Sequence, residues 1–143
     1  MFIGEYSHTI DQKGRIAVPA KIRKDLGNGA VVTRGIDNCL WVFTKKEWLI
    51  LAQKLSSLPL TDANSRAFSR LMLAGAMEVE FDSQGRILLP AYLREYSSLN
   101  KNAVIAGLFN RLEIWDERTW ESYKEKTEKA TDQITKHMTD LGI

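Results

Sequence analysis

The stretch IDQKGRIAVPAKIR, residues 10–23, returns as FDSQGRILLPAYLR, residues 81–94. At an offset of 71, Asp11, Gly14, Arg15, Ile16, Pro19, Ala20 and Arg23 meet Asp82, Gly85, Arg86, Ile87, Pro90, Ala91 and Arg94, seven of fourteen positions. Further on, AVVTRGI aligns loosely with AVIAGLF and CLWVFTKKEW with RLEIWDERTW, bringing Trp48 onto Trp120. This is the signature of a tandem duplication. About 60 residues is marginal for an independent domain, so the two halves are expected to share one barrel.

Each half reads as the same order of elements. IGEYSHTI alternates polar and apolar positions as a strand, Asp-x-x-Gly turns it, and RIAVP is expected to return beside it as a hairpin. Asp11 suits the first position of a type I turn, and Gly14 suits the positive φ that closes such a loop with a bulge. PAKIRKDLG reads as a short helix, because Pro19 fits its first turn, Ile22 and Leu26 are four apart, and Gly27 fits its stop. AVVTRGI and CLWVF read as strands. Thr44 and Glu47 form a capping box ahead of a helix whose face carries Trp48, Leu51, Leu55 and Leu58 and which Pro59 ends.

DANSRAFSRLMLAG reads as a helix capped by Asp62, AMEVEF as a strand, and GRILLP, AYLREYSSL, NAVIAGL and RLEIWD as strand, helix, strand, strand. A last helix from about Glu117 carries a narrow stripe of Trp120, Tyr123, Thr127, Ala130, Ile134 and Met138. Its final dozen or so residues have few apolar anchors and are expected to fray. The organisation expected is a first repeat over 1–60, a linking helix over 61–76, and a second repeat with the C-terminal helix over 77–143, intertwined as one unit.

Composition narrows the chemistry. The 44% hydrophobic content is normal for a globular fold. The opening MFIGEYSHTI has neither a basic leader before an apolar core nor a membrane-length apolar run, so the expectation is a cytoplasmic protein without membrane contact. A single cysteine rules out an internal disulfide framework, and Cys39 in the apolar run CLWVFT reads as a buried, inert thiol. With His8 and His137 as the only histidines, little is available for a soft-metal site or for acid–base catalysis. GNGA, residues 27–30, lacks both the P-loop lysine and dinucleotide spacing and reads as a helix stop. Glu78, Glu80 and Asp82 fall on one face of a strand. A solvent-facing edge that discourages strand pairing is the plainer reading there, ahead of a metal or hydrolase site or a contact with basic groups of a neighbouring subunit. No enzyme, cofactor, metal or small-molecule substrate is expected.

Charge is divided unevenly along the chain. Residues 1–60 carry 9 Lys and Arg against 5 Asp and Glu, whereas residues 61–143 carry 11 against 13. Lys13, Arg15, Lys21, Arg23 and Lys24 crowd the first copy of the duplicated corner. Two readings stand for an arginine directly after the loop glycine. It pairs with its own loop aspartate and does nothing more, or it is offered from a rigid rim to an acceptor. A basic loop at the end of a β-ribbon suits the DNA major groove, where guanine O6 and N7 face a guanidinium and nearby lysines hold phosphates. One subunit with a few surplus charges would bind weakly; several subunits presenting identical loops would add contacts at high effective concentration and favour evenly spaced direct repeats.

MFIGEYSHTIDQKGRIAVPAKIR, FDSQGRILLPAYLR and LEIWDERTW together resemble the MraZ family of bacterial transcriptional regulators, over nearly all of the chain up to about residue 123. The resemblance implies an α+β, β-rich fold: a SpoVT-AbrB-like double-split or swapped-hairpin β-barrel formed by two tandem repeats, with flanking helices. It also implies a ring-shaped homo-oligomer that binds tandem G-containing repeats in double-stranded promoter DNA. Such a protein would repress its own division and cell wall gene cluster and associate with the nucleoid. Carried onto this chain, the reading loop is Asp11, Gln12, Lys13, Gly14 and Arg15, and its counterpart is Asp82, Ser83, Gln84, Gly85 and Arg86. Arg15 is then the guanine contact, Lys13 a phosphate or base contact, Asp11 the orienter of the turn, and Lys21, Arg23 and Lys24 the flanking basic groups. An antitoxin-like module that binds a protein partner is the alternative.

Overall fold

The duplication predicts the same order of elements in each half, joined by a linking helix. The computed structural model, which describes residues 1–143, shows a strand–strand–helix–strand–strand–helix series twice, with the segment between the halves and the last helix outside it. The first half runs β1 (Phe2–Thr9), β2 (Arg15–Ala17), α1 (Ala20–Leu26), β3 (Ala30–Arg34), β4 (Leu40–Phe43) and α2 (Lys45–Ser56). After α3 (Ala63–Ser69) and a π-helical turn (Arg70–Ala74) the series repeats. It continues as β5 (Met77–Val79), β6 (Arg86–Leu88), α4 (Ala91–Tyr96), β7 (Asn102–Phe109), β8 (Leu112–Asp116) and α5 (Glu117–Lys129), followed by α6 (Thr131–Asp140).

The strands do not pair as two local hairpins, and this corrects the expectation for RIAVP. Only an isolated bridge, Ile10 to Ile16, closes the first corner. Beyond it the two arms part. β1 lies antiparallel on β7 of the other repeat, from Phe2 opposite Phe109 to Thr9 opposite Asn102, and β5 lies on β3 with Ala30 opposite Val79. β2 pairs with β6, with Ile16 directly opposite Ile87. Because 16 and 87 are equivalent positions of the duplication, a local two-fold axis passes through that pair. The β4–β8 ladder repeats the relation, with Trp41 opposite its own equivalent, Glu113. The physical reason is burial. Ile16 and Ile87 are 0% and 1% exposed, and they join Val18, Leu89, Ile22 and Leu93 in one cluster that neither half could enclose alone.

The ladders form a six-stranded antiparallel sheet in the order β1-β7-β8-β4-β3-β5 and a separate two-stranded ribbon, β2-β6. The sheet keeps two edges, β1 and β5, so no continuous ladder closes it into a barrel. The mixed α+β class stands.

The helices start where side chains supply the missing acceptors. Thr44 Oγ1 accepts the Glu47 N–H at 3.1 Å and starts α2. Asp62 accepts from Ser65 at 2.8 Å and starts α3. Pro19 occupies the N-cap position of α1, and Gly27, at φ +79°, ends it. The single helix expected over residues 62–75 instead changes winding at Arg70. There Met72 is fully buried, and its carbonyl accepts the Thr33 hydroxyl at 2.6 Å. AMEVEF contributes only Met77–Val79 to the sheet. The C-terminal helix packs through Trp120 and Tyr123, whose rings lie 5.3 and 5.0 Å from that of Trp115. Where fraying was expected the chain stays helical to Asp140, although α6 buries no residue. No helix is long and apolar enough to cross a membrane.

Candidate nucleic-acid interface

Each duplicated corner is built around one carboxylate. Asp11 Oδ1 accepts the N–H groups of Lys13 and Arg15, both at 2.9 Å, and Oδ2 accepts Arg15 Nε at 2.7 Å. Asp82 does the same for Gln84 and Arg86, at 2.9, 2.9 and 2.8 Å. The Gly14 and Gly85 N–H groups donate back to the Asp11 and Asp82 carbonyls at 3.0 Å. Gly14 at φ +85° and Gly85 at φ +73° take the left-handed backbone that this turn requires.

The first of the two readings is therefore visible: each rim arginine pairs with its own loop aspartate. The bond is made through Nε. It leaves the terminal amino edge of Arg15 without an internal partner, two parallel donors on a planar group. Arg86 Nη1 lies 3.7 Å from Asp11 Oδ2, so Asp11 stands between both arginines and the corners sit side by side. Exposed ion pairs of this kind add little stability, and their effect is orientation.

The backbone N–H of Arg15 and that of Arg86 are the main causes holding the Asp11 and Asp82 carboxyls below their ordinary value of 3.8, against a smaller opposing effect of desolvation. Both carboxylates are ionised at neutral pH.

Each corner is also touched by a helix of the other repeat. The Arg23 guanidinium, from α1, lies against Gly85, where a Cβ would collide with it. Arg94, from α4, lies against Gly14, where a Cβ would come within 2.7 Å of its Nε and 2.9 Å of the Leu89 carbonyl oxygen. The Leu89 N–H donates to the Gly14 carbonyl at 2.9 Å, and its own carbonyl accepts Arg94 Nε at 3.0 Å. In the mirror arrangement the Val18 N–H donates to the Gly85 carbonyl at 3.1 Å.

The basic group of the first repeat is thus divided. Gln12 and Lys13 are exposed at the loop tip and Lys21 and Lys24 on α1, whereas Arg23 is half-buried and turned onto Gly85. A polar cleft of about 510 Å³ opens between α1 and the second corner, lined by Arg23, Lys24, Asn28, Asp82 and Ser83 among others. At the second corner Ser83 and Gln84 are exposed. Sequence reasoning passed over Arg94 as a site residue, although its match to Arg23 in the fourteen-residue repeat was the available signal.

Other candidates resolve differently. Glu78 and Glu80 are exposed, the latter beyond the end of β5, while Asp82 belongs to the corner. No group of three or more His, Cys, Asp or Glu side chains is placed to hold a metal ion. Cys39 is buried, its Sγ donates to the Ile36 carbonyl at 3.1 Å, and burial pushes the thiol up to about 12, which suits an inert residue.

A family model described as "MraZ protein, putative antitoxin-like" matches the chain twice, over residues 1–71 and 72–141. The transcriptional regulator MraZ of Halothermothrix orenii is 50% identical over 143 residues, covering 100% of both chains. That of Natranaerobius thermophilus is 48% identical over the same span, and that of Carboxydothermus hydrogenoformans is 49% identical over 141 residues, 99% of each chain. With both halves matched and such relatives aligned end to end, the chain belongs to the MraZ family of transcriptional regulators.

Proposed function

We propose that the chain regulates transcription by sequence-specific binding to double-stranded DNA, with the first corner as the principal reading element. The observation that carries this is the fastening of Arg15 by Nε alone. Asp11 fixes the guanidinium plane while the terminal edge stays available, the geometry suited to guanine O6 and N7 in the major groove. Gly14 shapes the corner, and Gln12 and Lys13 stand at its tip. Lys13, Lys21 and Lys24 are exposed and suited to phosphates, which set register without reading sequence. Arg86, Gln84, Gly85 and Asp82 form the second, less basic half of the same head.

A double loop of this size makes few contacts. Selective binding is therefore attributed to a ring-shaped homo-oligomer on evenly spaced direct repeats, acting as a repressor of its own division and cell wall cluster at the nucleoid. The AbrB-like swapped-hairpin architecture belongs to this proposal, supported by the crossed pairing of β1 with β7, β5 with β3 and β2 with β6.

Footprinting of the purified protein on DNA upstream of its own gene tests it. Protected G-containing elements at regular spacing are expected; protection that ignores sequence or has no spacing would overturn sequence-specific regulation.

A further inference from the structure

The corners are short, and the side-chain hydrogen bonds that frame them are exposed at the second corner and exposed or half-buried at the first. What holds each one against the body of the protein comes from the opposite repeat. We propose that Arg94 and Arg23 are crossed positioning residues. Arg94 of the second repeat sets the corner that carries Arg15, and Arg23 of the first repeat sets the corner that carries Arg86. The inference rests on the reading of those corners as the DNA-contacting head, and goes beyond it by assigning a role to residues that touch neither base nor phosphate.

Three observations carry it. First, Arg94 is half-buried and its Nε–H is already committed to the Leu89 carbonyl, one residue whose N–H in turn donates to the Gly14 carbonyl. Its guanidinium fills the space that a side chain at position 14 would take, directly before Arg15. Second, the packing of an arginine on the loop glycine and the backbone bond to its carbonyl occur twice under the local two-fold relation, with Arg23 against Gly85 and the Val18 N–H on the Gly85 carbonyl, whereas the bond from Nε to a carbonyl is made by Arg94 alone. Third, an arginine lies against the loop glycine on both sides while the loop tips differ, Gln12 and Lys13 against Ser83 and Gln84. A group serving phosphates would be expected to vary with the tip charge; a group serving the turn would not.

A phosphate-binding arginine and a positioning arginine are separated by salt dependence. Removing a group that neutralises one phosphate lowers the salt slope by about 0.9, whereas removing a brace lowers affinity and leaves the slope unchanged. Full-length wild type, Arg94→Ala, Arg94→Lys and Arg23→Ala are compared by amide hydrogen exchange without DNA, and by titration of the upstream fragment over a salt series. Arg94→Ala is expected to speed exchange at residues 11–17 and to weaken binding at least tenfold with an unchanged slope. Arg94→Lys is expected not to restore it, since an ammonium cannot reproduce the planar Nε–H contact. Arg23→Ala is expected to loosen residues 82–88, with the smaller loss of affinity.

Unchanged exchange at 11–17 in Arg94→Ala, rescue by Arg94→Lys, or a fall in slope would each overturn the assignment. Should Arg94→Ala not fold, Arg94→Met, which keeps the apolar stem, is read by the same criteria. Arg15→Ala serves as the control. Wild-type binding by that variant removes the DNA reading while leaving the exchange result to judge the brace, and weakened binding with an unperturbed corner in Arg94→Ala removes the brace alone.

Discussion

The two corners are the same frame in different electrical settings. Asp11 and Asp82 bind three equivalent donors at distances that agree within 0.1 Å, and each loop glycine has a positive φ, +85° and +73°. Around the frame the copies part. The first has Lys13 at its tip with Lys21 and Lys24 on the following helix, while the second has Gln84 at its tip and Tyr92 and Glu95 on α4. Asp11 also faces both arginines, whereas Asp82 holds only its own. The difference teaches that a corner's shape and its charge are specified separately: shape by Asp-x-x-Gly-Arg, charge by what surrounds it.

The largest effect should separate the two arginines. Arg15→Ala is expected to cost about 1 to 3 kcal/mol for each guanine it no longer reads, roughly 5- to 150-fold in affinity, and Arg86→Ala distinctly less. Equilibrium titration on the footprinted fragment checks this, and an Arg86→Ala loss as large as that of Arg15→Ala would break the asymmetry.

A subtler test exchanges the tips. Lys13→Gln is expected to lower the salt slope by about 0.9, and Gln84→Lys to raise it by a similar amount if the second tip reaches the backbone. An unchanged slope in Lys13→Gln would mean that Lys13 stands clear of phosphate.

The smallest difference is expected in acid, where the frames should behave alike. Both carboxyl groups are held below their ordinary 3.8 by donors present only in the fold, first among them the Arg15 and Arg86 N–H groups. Their contribution to corner stability is therefore complete above that value and is lost as pH falls through the lowered folded values. Carboxyl titrations followed by NMR should show no corner opening between about pH 8 and 5, and joint opening only below about 3.8. Opening of one corner well before the other would show that the frames are not equivalent.

Much of this was legible one element at a time. The caps at Thr44 and Asp62, the stop at Gly27 and the left-handed glycines at 14 and 85 all follow from short-range chemistry, which depends on neighbours three or four residues away. Helix winding at Arg70–Ala74 was not legible, because the π turn is set by Met72 filling a buried site and its carbonyl meeting Thr33, 39 residues distant. Nor was the partner of β1. Alternation reveals which face of a strand is buried and carries no information about which strand lies beside it.

Sequence alone determined that there are two copies of one unit, the order of strands and helices in each, which corner is the more basic, and that an aspartate and an arginine share each turn. These are properties of spacing and residue type, readable within a few helical or strand periods. The tertiary structure decided that the arms of each corner separate to join the other repeat, that the corners meet with Asp11 between Arg15 and Arg86, and that Arg94 and Arg23 cross over to opposite glycines. Those are contacts between residues some seventy positions apart. They arise because two half-sized cores are too small to bury their apolar faces separately, and one shared core can.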